Sequence, residues 1–300
     1  MITTPRLASL LSLLSLLAAA GWLLVAGGAR HAARAVDDVL TVTPATARVP
    51  QGGAALLAIR APRATAVRVR LGETVHPADA RGDDRWEAVI GVWMETKPGP
   101  LALTVEADLD DRTLTAPVAL TVTQRAFPIQ RLRMAREQAA KYTAPSVQEE
   151  YRLIGAALRR FTAGRAWQGS FQRPAAGRIA TRYGTQRYRN GEKVGIHKGI
   201  DIAAPRGAPV YAAHAGVVTL RRDFGLHGRT LVIDHGGGVA GLYLHLNDFG
   251  VSEGQTVKRG QLIARVGSTG AATGPHLHYA LYAHGTAIDP LLMETMPAGW

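Results

Sequence analysis

Apolar and polar side chains alternate with a period of two along most of this chain. The pattern is clearest over residues 39–43, 54–59, 66–71, 86–93, 101–106 and 118–123, with turn-forming stretches such as Pro50-Gln-Gly-Gly and Lys97-Pro-Gly-Pro between runs. Alternation places successive side chains on opposite faces, so each run predicts a half-buried β-strand. Their close, regular spacing predicts a small immunoglobulin-like β-sandwich over residues 36–125. No cluster of chemistry-bearing side chains falls within it, and a spacer or partner-binding module is the simplest reading.

The period changes over residues 126–168. Val147, Tyr151, Ile154, Leu158 and Phe161 recur at helical spacing, and Ser146-Val-Gln-Glu149 directly after Pro145 has the form of a capping box. A helix with one apolar face is predicted there, and a preceding helix over 130–142 would pair with it as a two-helix connector. The stripe reads as core rather than as a cofactor box. Strand-like runs return at 178–184, 209–213, 216–220, 230–234, 241–246 and 262–266, now with many glycines. They predict an antiparallel β-rich domain over 169–300 with a long groove, one wall of which is the polar loop 186–193. The fold class is therefore mainly β, with a sandwich, a helical connector and a β-rich C-terminal domain.

Residues 7–26 form an uncharged run rich in leucine and alanine, preceded by Arg6, and no acidic residue occurs before Asp37. That is the make-up of an export segment, and Ala33-Arg-Ala35 fits a cleavage site that would leave Val36 as the mature start. The apolar run is also long enough to span a bilayer, so residues 7–26 as a membrane anchor are the alternative. Either way residues 1–35 direct the remainder outside the cytoplasm, to periplasm, cell wall or medium.

Charge sharpens this picture. The formal net charge is +12, yet residues 36–125 carry 10 basic and 12 acidic side chains while residues 126–300 carry 22 and 11. The basic excess lies with the C-terminal part and suits an anionic polymer or an anionic cell-envelope surface. Nucleic acid is not the expected partner, because the chain has no recognition helix, zinc finger or aromatic-basic repeat. The absence of cysteine excludes a thiolate metal site and a cysteine nucleophile.

Candidate chemistry gathers in the last third, at His197, Asp201, His245, His276 and His278. His197 and Asp201 stand four apart in a glycine-rich segment closed by Pro205, where an extended chain would put both on one side. His276 and His278 stand two apart at the start of an alternating run, so they share a face while Leu277 and Tyr279 point into a core. Imidazole and carboxylate are zinc ligands, and three of them around an open position make a hydrolytic site. His31, His76, His214, His227, His235 and His284 lack such company and read as structural or surface residues. Tyr243 reads equally as groove lining, on the face of His245, or as packing. Ser268 and Thr269 read as loop-shaping, and Asp234-His235 as a strand end.

The stretches His-Lys-Gly-Ile-Asp at 197–201, Val-Tyr-Ala-Ala-His-Ala-Gly-Val-Val at 210–218, Leu-Tyr-Leu-His-Leu at 242–246, Val-Lys-Arg-Gly-Gln-Leu-Ile-Ala at 257–264 and Gly-Ser-Thr-Gly-Ala-Ala-Thr-Gly-Pro-His-Leu-His at 267–278 resemble, in order and spacing, the M23 peptidases, also called lysostaphin-type or LytM-domain endopeptidases. The resemblance covers roughly residues 170–292. It implies His197, Asp201 and His278 as ligands of a Zn2+ ion, His245 and His276 as unliganded catalytic histidines, and peptidoglycan peptides as substrate. Some relatives have lost ligands and act only as activators of amidases; this chain keeps all five residues. A wall-binding module with a structural zinc is a further alternative, and it would need His245 or His276 as fourth ligand.

The reaction can also be argued from the residues. A zinc held by two imidazoles and a carboxylate keeps a position for water and polarises a carbonyl. No His-Glu-x-x-His supplies a glutamate base, so a histidine takes that role. His276, two residues from His278, is best placed for it, and His245 across the cleft would stabilise an oxyanion or protonate the departing amine.

Overall fold

The computed structural model describes residues 39–132, 142, 145–189 and 191–297. The expected export segment 7–26, its cleavage site at 33–35 and His31 lie outside the described residues. Among the described residues no helix is long and apolar enough to cross a membrane.

Residues 41–123 form two sheets. One contains β1 (Thr41–Pro44), β3 (Ala54–Arg60), β7 (Arg85–Gly91) and β6 (Asp79–Gly82) in that order. The other runs β2 (Arg48–Pro50), β9 (Thr113–Thr123), β8 (Gly99–Asp108), β4 (Ala66–Leu71), β5 (Thr74–Pro77). Alternation decides what each face touches. In β3, Ala55, Leu57 and Ile59 join Val67, Val69, Val105 and Leu120 in a core shared by the two sheets. Ala54 and Leu56 point the other way, and with Val89 of β7 they enter the large core of the C-terminal domain. Both faces of β3 are thus occupied, which explains why its sequence is apolar almost throughout.

The two-sheet unit is therefore no free-standing spacer. Burying Leu56 and Val89 contributes about 1.5–3 kcal/mol each to holding it on the C-terminal domain. Polar contacts fix the orientation. Arg125 Nη2 donates to Asp289 Oδ2 at 2.8 Å, and the Asp289 N–H donates to the Gly52 carbonyl at 2.7 Å.

The C-terminal domain is built on a sheet ordered β11 (Arg178–Thr181), β14 (Ile200–Ala203), β21 (His276–Ala283), β18 (Val239–Phe249), β17 (Gly228–Gly236), β16 (Gly216–Phe224), β19 (Thr256–Val257). β15 (Pro209–Tyr211), β20 (Leu262–Val266) and β22 (Thr286–Ile288) join it off this path, and a short helix, residues Pro290–Met293, follows. One face of β21 and β18 is core, with Leu277, Tyr279, Leu281 and Tyr243 fully or almost fully buried. The opposite face forms the floor of a groove.

The connector differs from its expectation. Residues Ile129–Leu132 are a strand, β10, pairing in parallel with β12 (Gln186–Arg189), which in turn pairs with β13 (Glu192–Ile196). The polar loop is thus a hairpin, and its free edge offers ladder partners that override the helical tendency of 129–132. Residues 133–141 of the expected helix lie outside the described residues.

The second connector helix forms as α1 (Ser146–Leu158), but its cap and its face differ. Pro145 occupies the N-cap with helical φ and ψ, no side chain caps it, and Ser146 is already inside the helix, so no capping box forms. Val147, Ile154 and Leu158 are buried as the periodicity predicts, whereas Tyr151 is 53% exposed and Glu150 is buried instead. Phe161 lies beyond the helix and stacks on the His284 ring. Glu150 turns inward because the β16–β17 turn presents a nest of donors to it. Its carboxylate accepts from the N–H groups of Gly225, Leu226 and His227 and from His227 Nδ1, at 2.7–3.2 Å.

Candidate metal centre

Asp201 on β14 is paired directly with His278 on β21, and Leu244 on β18 pairs His278 from the other side. Directly opposed residues on adjacent strands share a face, which brings the Asp201 and His278 side chains together. His197 arrives differently from the expectation. It lies in the link between β13 and β14, not in a strand, so the four-residue spacing is not strand alternation. The link is held against β21 at Gly199, where a Cβ would collide with the Tyr279 carbonyl oxygen and stand 2.8 Å from Ala280 Cβ. That close approach delivers the buried His197 to the other two.

His197 Nε2 lies 2.9 Å from Asp201 Oδ1 and 2.8 Å from His278 Nδ1, and His278 Nδ1 lies 2.9 Å from Asp201 Oδ1. Bonds of about 2.0–2.1 Å in a tetrahedron put ligand atoms roughly 3.3 Å apart, so this trio is a slightly contracted face of such a site. The tautomer suits it as well. His197 Nδ1 stands 3.1 Å from the Arg182 carbonyl, which can only accept, so Nδ1 carries the proton and Nε2 presents its lone pair. The Asp201 oxygens divide in the same sense, with Oδ1 facing the imidazoles and Oδ2 accepting from Arg187 Nη2 at 3.1 Å. Two nitrogens and one carboxylate oxygen on one point are a donor set that fits zinc.

His245 and His276 stand beside the trio. Their rings are 4.8 Å apart, and the His245 ring is 6.4 Å from that of His278. His245 Nδ1 donates to the Thr269 carbonyl at 2.9 Å and His276 Nδ1 to the Gly274 carbonyl at 2.8 Å, so Nε2 carries the lone pair in both rings. His276 Nε2 is 3.9 Å from Asp201 Oδ1. All five expected site residues are therefore brought together.

His245 owes its place to a strained backbone. Its φ is +61°, and the ladder between β17 and β18 shifts register there, with Leu231 opposite Tyr243 but Arg229 opposite Leu246. This bulge breaks the alternation, so Leu242 and Leu244 line the groove, His245 turns toward the rings of His276 and His278, and Leu246 returns to the core. Tyr243 consequently lies on the core side, fully buried, where its hydroxyl accepts from the Ala213 N–H at 3.0 Å. Packing, not groove lining, is its role.

Burial sets the electrostatics. It pushes His245 down to about 3, helped by the neighbouring His276 and His278, and it pushes His278 down to about 4 against the opposing hydrogen bond to Asp201. Burial alone would raise the Asp201 carboxyl, but His197 and His278 hold it well below the usual carboxylate range. At neutral pH His245 and His278 are therefore neutral, beside an ionised Asp201.

The trio opens onto a cleft of about 610 Å³, floored by Leu242, Leu244 and Tyr282 and walled on one side by Ile154 and Leu158 of α1. Asp234 and His235 lie away from it. Asp234 accepts from the Thr162 hydroxyl and the Gly236 N–H, and His235 is fully buried with Nδ1 donating to the Ala215 carbonyl. Thr269 shapes the loop by bonding Arg229 N and the Leu246 carbonyl through Oγ1. Ser268 is exposed. Arg187, Glu150 and His227 escape sequence reasoning, because nothing local distinguishes them from other charged or polar surface residues.

Residues 195–290 match the model of Peptidase family M23. Over 96 residues the chain is 46% identical to DD-carboxypeptidase/endopeptidase Mpg of Neisseria meningitidis, a stretch that is 32% of this chain and 22% of Mpg. It is 43% identical over 100 residues to peptidoglycan DD-endopeptidase ShyA of Vibrio cholerae, 33% of this chain and 23% of ShyA. The chain spans less than a quarter of the length of these curated relatives. A crystal structure of an M23 peptidase candidate from Pseudomonas aeruginosa superposes with a TM-score of 0.61 at 26% identity, covering 84% of this chain and 95% of that one. That share exceeds the C-terminal domain, so the likeness in fold takes in the N-terminal sheets.

Proposed function

We propose that this chain, whose residues 195–290 belong to peptidase family M23, is an exported zinc metalloendopeptidase that hydrolyses peptide bonds in peptidoglycan stem peptides or cross-bridges. The observation that carries this reading is the convergence of His197 Nε2, Asp201 Oδ1 and His278 Nδ1 within 2.8–2.9 Å of one another. Support for the substrate comes from the names of Mpg and ShyA and from the basic excess of residues 126–300. Support for action outside the cytoplasm, by a secreted or membrane-anchored chain, comes from the composition of residues 7–26.

His197, Asp201 and His278 would hold the zinc, which when bound lowers the pKa of water toward neutrality and polarises the scissile carbonyl. His276 is the general base. Its Nδ1 proton is tied to the Gly274 carbonyl, so its Nε2 lone pair is free to take a proton from the attacking water. His245, held through Nδ1 by Thr269 beside His276, would serve the oxyanion or the departing amine only once its Nε2 has taken up a proton released from the attacking water. Burial keeps His245 neutral in the resting state and makes it quick to give up any proton it acquires.

A structural zinc would recruit His276 or His245 as fourth ligand, and His276 Nε2 stands back at 3.9 Å from Asp201 Oδ1 while the trio is at contact. The test is digestion of purified peptidoglycan by wild type and His278→Ala with mass analysis of the fragments. Wild type releases peptide-cleaved products and the variant none. A zinc-loaded wild type inert on every peptidoglycan tested would overturn the substrate class, and undiminished cleavage by His276→Ala would remove that residue from the base role.

A further inference from the structure

Asp201 offers one oxygen to the imidazole pair and turns the other away, and a single guanidinium takes the second. Arg187 Nη2 donates to Asp201 Oδ2 at 3.1 Å, and Arg187 Nε donates to Gln130 Oε1 at 3.3 Å. The Asp201 side chain is 10% exposed, so little water competes for Oδ2. Gln130 sits on β10 and is paired directly with Arg187 across the parallel ladder between β10 and β12. The chain of contacts thus runs from the segment joining the two β-units, through a cationic fork, to a carboxylate of the metal site.

A carboxylate has two equivalent oxygens and rotates easily about its last torsion, so its ligating geometry is set by what binds the far oxygen. A guanidinium does this better than an ammonium, because its planar fork bonds two partners at once and holds them at a set angle. We propose that Arg187 is the positioning residue of Asp201, and that Gln130 fixes Arg187 in turn. The connector strand then completes the outer shell of the metal site, and Oδ1 alone is left facing the ion. This rests on the reading of His197, Asp201 and His278 as a zinc site. Arg187 also lines the cleft, so direct contact with substrate is the competing role.

The experiment is zinc titration of the full metal-stripped chain against a chromophoric chelator, with zinc alone as probe, for wild type, Arg187→Ala, Arg187→Lys and Gln130→Ala. Thermal midpoints of the metal-free proteins serve as the folding control, and kcat and KM are read on peptidoglycan peptides. Arg187→Ala is expected to weaken zinc binding by about 10–100-fold with its metal-free midpoint unchanged. Arg187→Lys recovers part of that loss, because one donor still reaches Oδ2. Gln130→Ala, one hydrogen bond further out, costs roughly threefold to tenfold.

Unchanged zinc affinity in Arg187→Ala, with the loss confined to KM, would mean that Arg187 touches substrate and overturns the proposal. Should Arg187→Ala fail to fold, unchanged affinity in Gln130→Ala overturns it as well. A wild type that binds no zinc would overturn the metal-site reading itself, an outcome distinct from a wild type that binds zinc as tightly as its variants.

Discussion

Removing the Glu150 carboxylate should release α1 from the wall of the cleft. The side chain is 3% exposed and accepts from three backbone N–H groups and from His227 Nδ1, all on the β16–β17 turn. Hydrogen bonds to a charged acceptor are each worth about 1.5–3 kcal/mol, and an N–H left buried without a partner costs about 1–3 kcal/mol. The sum is not realised. Burial of the carboxylate opposes its own charge, although His227 and the Leu226 and His227 N–H groups more than offset that and keep Glu150 below the usual carboxylate range. Water can also reach part of the opened turn. Glu150→Ala is therefore expected to cost about 3–4 kcal/mol, and Glu150→Gln, which keeps one acceptor but aims an NH2 at N–H donors, about 1–3 kcal/mol. Chemical denaturation reads the global loss, and amide hydrogen exchange at Gly225, Leu226 and His227 reads the local one, with exchange faster by about two orders of magnitude for 3 kcal/mol of lost protection. Protection unchanged at those amides, together with a global loss below about 1 kcal/mol, would refute the reasoning. It would mean that Val147, Ile154 and Leu158 hold the helix by apolar contact alone.

Three further outcomes follow from the same structure. Gly199→Ala should lower both stability and zinc affinity, since its Cβ would drive β14 away from the Tyr279 carbonyl and from Ala280; a variant that binds zinc like wild type would contradict this. His235 is neutral when folded, burial having pushed it down to about 4 from 6.5, so at acid pH the unfolded chain binds its proton first. The corresponding stability is complete above about pH 6.5 and is lost as pH falls toward about 4, by on the order of 3 kcal/mol. His235→Gln should flatten the plot of thermal midpoint against pH in that window, with the residual slope due partly to His284, and an unchanged slope would count against the assignment. Arg125→Ala leaves the nearly buried Asp289 carboxylate without its guanidinium and should destabilise the junction of the two β-units by about 2 kcal/mol. Limited proteolysis should then cut the 124–129 segment sooner, and an unaltered cleavage rate would argue that the shared apolar core suffices.

What could be read along the chain was whatever depends on neighbours in sequence. Strand runs at 54–60, 66–71 and 262–266 lie where alternation places them, and His276 and His278 share the groove face of β21 because a two-residue period is a property of any strand. The five candidate residues were legible by type and spacing. Their delivery to one point was not. His197 comes in from a link held by Gly199 against another strand, and His245 comes in through a bulge whose positive φ no pattern of polarity announces.

The sequence by itself determined a mainly β chain with an imidazole-carboxylate cluster in its last third, since composition and periodicity are local quantities. Only the tertiary structure decided that residues 129–132 form a strand, that Glu150 turns inward in place of Tyr151, and that Arg187 reaches Asp201. The physical reason is the same in each case. An open strand edge, a nest of unpaired N–H groups or a buried carboxylate oxygen is a strong demand for a partner, and the partner that meets it comes from a distant part of the chain.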